Sequence, residues 1–185
     1  MKYFLLIIVM SLVPNLLIAQ KGDSKDNGFS LSLTSSINSE VNSILIVPSA
    51  SYYKRKSQLE LGVGFDSFIQ KDQRIISGEL NYKYFPNGRA NKFNMYLTMS
   101  FAYLNQLRKT IYPANYQYLF LNGGYGFQIK TIKGIYIGTN INIGTFTNRK
   151  SSENPYNEYY GNENLFDKFG VSLTCELNVG YRFKH

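Results

Sequence analysis

In the stretch DKFGVSLTCELNVGYRFKH, apolar side chains take the odd positions Phe169, Val171, Leu173, Cys175, Leu177, Val179, Tyr181 and Phe183. Small or polar ones take the even positions Gly170, Ser172, Thr174, Glu176, Asn178, Gly180 and Arg182. A period of two marks an extended strand with one apolar and one polar face. The run exceeds the five or six residues usual for a strand, so it must cross or enclose something wide. The same alternation predicts strands over Gly28–Ile37, Ser43–Tyr53, Gln58–Ile69, Arg74–Phe85, Lys92–Leu104, Tyr116–Lys130, Gly134–Thr147 and Lys168–Phe183. The fifth is the cleanest, with Phe93, Met95, Leu97, Met99, Phe101 and Tyr103 on one face. The seventh sets Ile135, Ile137, Ile141 and Ile143 against Tyr136, Gly138, Asn140, Asn142 and Gly144. The second, SILIVPSASYY, is the weakest, because Leu45 and Val47 break the alternation. No segment carries a helical period.

Turn chemistry predicts that consecutive strands pair antiparallel. Asn87-Gly88 suits a two-residue type I′ hairpin, which pairs Tyr82 with Phe93 and Leu80 with Met95. A turn centred on Lys71-Asp72 pairs Gly64 with Glu79 and Glu60 with Lys83; one at Arg55-Lys56 sets Tyr52 opposite Leu59. All three keep apolar against apolar, and a slip of one residue would mix the faces. Eight long antiparallel strands are expected to close, because closure removes the aggregation-prone edges.

Composition decides which face points outward. A soluble barrel should carry about 25–35% charged residues on its surface, whereas the whole chain is 17% charged. The polar face is mostly Gly, Ser, Thr and Asn, which suits the crowded interior of an eight-stranded barrel. The apolar face suits hydrocarbon, and a membrane strand needs about 9–11 residues at its tilt. Closed pairing also satisfies every backbone group in lipid. Tyr52, Tyr82, Tyr84, Phe93, Tyr181 and Phe183 gather toward one rim, and Phe65, Phe101, Tyr103, Tyr116 and Phe169 toward the other, as two aromatic girdles. The fold class expected is all-β: a closed eight-stranded antiparallel up-and-down transmembrane β-barrel. Aromatics filling the core of a soluble sandwich are the alternative.

The first twenty residues, MKYFLLIIVMSLVPNLLIAQ, read as a secretory signal peptide: one Lys, an apolar run too short to span as a helix, and a small residue at Ala19. Residues 21–185 then form a single barrel domain. The one cysteine, Cys175, rules out an internal disulfide framework. Lys and Arg number 20 against 12 Asp and Glu, a formal charge of +8. Export makes nucleic acid an improbable partner for that charge; anionic lipid headgroups or surface polysaccharide suit it better, with general solvation as the plain alternative.

The leader, the eight-strand pattern and the closing NVGYRFKH resemble the small outer-membrane β-barrel proteins, OmpA-like or OmpX-like in architecture. IVPSASYYKRKSQLELGVGF is similar to their Pro…Tyr, turn, Gly-rich hairpin. The resemblance implies integral insertion in the outer membrane of a Gram-negative bacterium, both termini on the periplasmic side, and recognition by the outer-membrane assembly machinery. That machinery reads a terminal aromatic; here Phe183 is followed by Lys184-His185. On this orientation 54–57, 86–91 and 131–133 are periplasmic turns, and 38–42, 70–73, 105–115 and 148–167 are external loops.

Candidate chemistry is sparse. The longest loop, NRKSSENPYNEYYGNENLFD, is where binding of an extracellular ligand or envelope protein would reside; a solvated, variable loop is the alternative. Arg108, Lys109, Arg149 and Lys150 fall near the outer rim and are candidate contacts to the phosphates of lipopolysaccharide, or girdle anchors. On the polar face Glu60, Glu79 and Glu176 accompany Lys83, Lys130 and Arg182, a charge network expected to be paired because an unpaired buried charge is costly. That predicts a plugged lumen. No catalytic residues are assigned, since the one histidine is His185, the last residue, and the carboxylates Glu153, Glu158 and Glu163 share one loop without a spacing that implies chemistry. One His and one Cys also leave no His/Cys metal site, and no cofactor is expected. Gly123-Gly124-Tyr125-Gly126 lies within a strand, where glycine permits curvature or close packing. A narrow solute channel, a subunit of an envelope or secretion assembly, and a soluble lipocalin-like barrel holding an apolar ligand remain as alternatives.

Overall fold

The structure is a computed structural model describing residues 27–67, 72–89, 91–109, 113–131, 134–152, 164–166 and 168–184. The expected leader lies outside the described residues. Eight strands follow in order: β1 (Asn27–Asn38), β2 (Val41–Lys54), β3 (Ser57–Asp66), β4 (Gln73–Tyr84), β5 (Phe93–Arg108), β6 (Ala114–Lys130), β7 (Ile135–Ser152) and β8 (Phe169–Lys184). Each pairs antiparallel with the next, and β8 returns to β1 to close the barrel. The sequence expectation of a closed up-and-down barrel is met.

The alternation sets which way each residue points. In β8, Val171, Leu173, Leu177, Val179, Tyr181 and Phe183 are exposed on the outside, while Ser172, Thr174, Glu176, Asn178 and Arg182 are buried within. Every strand repeats this, so the outer surface is apolar through its middle. Soluble monomers rarely expose contiguous apolar patches beyond a few hundred Å². A lipocalin-like arrangement, with the apolar face lining a ligand cavity, is therefore not formed.

Three registers test the turn chemistry. Tyr52 does face Leu59, across a turn in which Arg55 takes a left-handed φ of 54°. The β3–β4 pairing is shifted by two residues from expectation: Gly64 meets Ser77, and Glu60 meets Asn81. The β4–β5 pairing departs further, with Tyr82 opposite Met99 and Leu80 opposite Phe101. The cause is visible after β4. Gly88 donates its backbone N–H to Phe85 (3.1 Å), so Pro86 and Asn87 are the central residues of the turn, with Gly88, at φ 71°, fourth. Proline is favoured at the second position of such a turn and glycine at the fourth, and this outcompetes the Asn-Gly hairpin. The chain then folds Phe85 and Arg89 inward before β5 begins. Both shifts are even, so the faces survive.

Strands β5 to β7 also run longer than the alternation suggests. Much of 105–115 and the start of 148–167 are strand, not loop, and Arg108 pairs with Ala114, which in turn pairs with Ser152. These three strands make a tongue at the end of the barrel away from the start of β1 and the finish of β8. We call that the loop end, and the opposite one the terminal end.

Candidate functional site

The lumen is closed twice, by different chemistry. At the loop end, Val41, Leu45, Val47, Ile75, Leu104, Tyr118 and Phe120 point inward and form an apolar cluster, with Ala102, Tyr116 and Phe146 packed against it. Leu45 and Val47 break the alternation of β2 because they belong to this plug. Tyr116, expected in the outer girdle, faces inward instead. Its strand places even-numbered residues inside, and its ring stacks on Tyr118 with centroids 6.4 Å apart. Phe120 continues the stack at 5.8 Å from Tyr118.

Below this plug the lumen is polar. Ser30 bonds Ser51 (2.6 Å), Ser32 bonds Ser49 (2.7 Å), and Gln58 Nε2 donates to Ser51 Oγ (3.0 Å). Lys83 Nζ donates to Glu60 Oε2 at 3.0 Å, with side chains 4% and 2% exposed. The two are diagonal across β3 and β4, since Glu60 faces Asn81, and the long lysine spans the extra distance. Glu79 accepts hydrogen bonds from Ser77 and Asn81, and Glu176 from Asn140. Of the predicted charge network, the structure thus joins Glu60 and Lys83 as a salt bridge. Arg182 lies deeper toward the terminal end, stacked over the rings of Tyr136 (5.1 Å) and Tyr53 (5.8 Å). Lys130 ends β6 at the rim, half-buried.

The terminal end is closed by cations and aromatics together. Arg89 lies over Tyr53 (4.0 Å) and Phe85 (5.5 Å), and its Nε donates to the Arg55 carbonyl (3.1 Å). Phe85 packs on Tyr96 at 5.2 Å, and Lys83 sits 5.7 Å above the same tyrosine. Such cation–π contacts strengthen when desolvated.

A pairing rule explains how so many rings fit. Tyr53 lies directly opposite Gly28, Tyr96 opposite Gly126, Phe146 opposite Gly170 and Tyr136 opposite Gly180. A Cβ on any of these glycines would approach the facing aromatic within 2.3–2.6 Å. An eight-stranded barrel has room only for side chains, so a ring can lie across its neighbour only where that neighbour has none. Of the two roles open to the Gly123–Gly126 run, Gly126 therefore fills close packing. The signal was in the sequence, as glycines on the inward parity, but which ring faced which needed the register.

Between the plugs a cavity of about 30 Å³ remains, lined among others by Ser77, Glu79, Asn122, Thr174 and Glu176. That is room for little more than one or two waters. Among the described residues no group of three His, Cys, Asp or Glu side chains converges as metal ligands would.

The four basic rim residues separate into two pairs. Arg108 and Lys150 fall on the inward parity and flank Tyr116, with their charged ends 5.0 and 5.9 Å from its ring. Lys109 and Arg149 are exposed. The segment 153–163, with most of the long polar loop, lies outside the described residues.

Similar folds are known. The chain superposes on the N-terminal β-barrel domain of Pseudomonas aeruginosa OprF with a TM-score of 0.61 at 12% identity, covering 87% of this chain and 100% of that one. It also superposes on a major outer membrane protein from Thermus thermophilus with a TM-score of 0.54 at 13% identity, covering 85% and 99%. The fold is that of the small outer-membrane barrels. No protein-family model matches the chain, and no curated protein sequence matches it.

Proposed function

We propose that the protein is an integral β-barrel of the outer membrane of a Gram-negative bacterium, non-enzymatic and closed across its lumen. It serves as envelope structure and holds its loop-end segments outward for binding. The observation that carries this is the apolar outer face present on all eight strands, which suits hydrocarbon, set against an interior of serines, asparagines and a buried Lys83–Glu60 ion pair. The barrel shape it shares with two outer-membrane proteins supports the same placement. The two plugs favour a structural role over a solute channel, because they act in series and the cavity described between them has room for little more than water.

Cysteine labelling on intact cells tests placement and orientation together. Cys175 lies on the outer, apolar face, beyond reach of a membrane-impermeant maleimide. Ser151→Cys, at the exposed end of β7, is expected to react, and Lys54→Cys, beside the β2–β3 turn, is expected to stay unlabelled until the envelope is broken. The opposite pattern would invert the barrel, and release of the protein without detergent would remove it from the membrane. In planar bilayers the folded protein is expected to give no stable conductance. A large, steady one would replace the structural reading with the channel.

A further inference from the structure

The outer face is not uniformly filled. Across β3, β4 and β5, Val63, Gly78 and Tyr103 form one cross-strand row, and Ile76 and Asn105 pair in the next row toward the loop end. Gly78 points outward, and a Cβ built on it meets nothing within 4 Å. The result is a groove of about 500 Å³ with Gly78 as its floor, Val63, Ile76 and Tyr103 as its walls, and Arg74 and Asn105 at its upper mouth. Its volume falls in the range of small-molecule sites, about 300–1,000 Å³.

The charge lies at one end only. Arg74 is exposed on the outward face and makes no ion pair among the described residues. Lys109 is its diagonal neighbour, two residues beyond Leu107, which pairs with Arg74, and its backbone N–H donates to the Asp72 carbonyl (2.7 Å) at the turn leading into β4. Asp72 is the acid at this corner and is itself exposed. Arg74 and Gly78 are four residues apart, about 13 Å along the strand and roughly 9 Å of membrane depth at the usual tilt. A cation at headgroup level above an apolar trough matches an amphiphile with an anionic head and an acyl tail.

We propose that this face of β3–β5 holds one phosphorylated lipid of the outer leaflet, lipid A. Arg74 binds a phosphate through charge-assisted hydrogen bonds, Lys109 takes its second charge, Asn105 supplies a polar contact, and an acyl chain lies over Gly78. The inference rests on the outer-membrane orientation argued above, which brings the loop end to the leaflet where that lipid resides. A phosphate monoester carries up to two negative charges and so matches two neighbouring cations better than the single charge of a glycerophosphodiester does.

The test uses the full chain folded into phosphatidylcholine vesicles containing either lipid A or phosphatidylglycerol as the minor component. Insertion is first scored by heat-modifiable gel migration, and lipid retained after mild detergent extraction is counted by native mass spectrometry. Wild type is expected to retain one lipid A and little phosphatidylglycerol. Arg74→Gln should lower lipid A retention about tenfold, as losing a hydrogen bond to a charged group does. Gly78→Leu, which fills the trough without touching the cations, should lower it as well. Equal retention by wild type and both variants, or no preference over phosphatidylglycerol, would overturn the assignment. Failure to insert at all would instead sink the outer-membrane reading.

Discussion

The two halves of the lumen are closed by opposite means. The loop-end half is built like the core of a soluble protein, from Val41, Leu45, Val47, Ile75, Leu104 and stacked aromatics. The other half holds Glu60, Glu79, Glu176 and Lys83 among serines and asparagines, sealed at the terminal end by Arg89 and Arg182 on tyrosine faces. An apolar plug tolerates imperfect partners, because dispersion and burial are non-directional. A charged interior does not: each group needs its own partner, and one loss strands another. The same narrow tube therefore contains a region that should degrade gradually under mutation and one that should fail abruptly.

The largest effect is expected where that asymmetry is sharpest. Lys83→Met leaves Glu60 buried without its cation, a change of the kind that costs about 3–5 kcal/mol. Adding Glu60→Gln should restore most of the loss, since removing both charges of a buried pair is often near neutral. The chain has no tryptophan, so unfolding in urea is best followed by far-UV circular dichroism of vesicle-folded protein, with heat-modifiable migration as the second probe. If the double variant is as unstable as Lys83→Met alone, the polar half is not organised around this pair.

Leu45→Ala tests the other half. It should cost about 2–5 kcal/mol through lost burial and the cavity left behind, while Leu45→Met, which conserves volume, should cost less than about 1.5 kcal/mol. No second-site charge change should rescue the alanine variant. Neither Leu45→Ala nor Lys83→Met alone is expected to open a conductance, because the remaining plug still blocks the tube.

What was legible in the sequence follows from what alternation encodes. Strand identity and the outward face of Phe93 to Tyr103 follow from a period of two sustained over many residues, whereas strand order follows from the short turns and closure from the cost of open edges. Register was less legible, because it depends on turns. Pro86 at the second position of a β-turn overrode Asn87-Gly88, and the intervening residues became part of the lower plug. The loop-end plug announced itself as a defect in β2, where Leu45 and Val47 stand on the wrong parity for a polar lumen, and Ile75, Leu104, Tyr118 and Phe120 share that inward parity in β4, β5 and β6. Tyr116 was misplaced because an aromatic at a strand end looks alike whether it faces lipid or the mouth of the barrel. The Glu60–Lys83 pair was named for a different register, and the length of the lysine side chain joins it all the same.

The smallest effect separates inward from outward glycines and tests the rule that ring and glycine pair across strands. At Gly180 a Cβ would come within 2.4 Å of Tyr136, whose ring is 1% exposed and carries Arg182 on its face, so the ring has nowhere to swing. Gly180→Ala should therefore cost about 1–3 kcal/mol by overpacking. Gly78→Ala, on the outer face with open space beyond, should stay within about 0.5 kcal/mol of wild type, as surface changes usually do. Urea midpoints measured side by side in the same vesicles make the comparison. If both substitutions prove equally mild, Tyr136 has room to move, and the aromatics of the lower half are filling space rather than being held by the glycines opposite them.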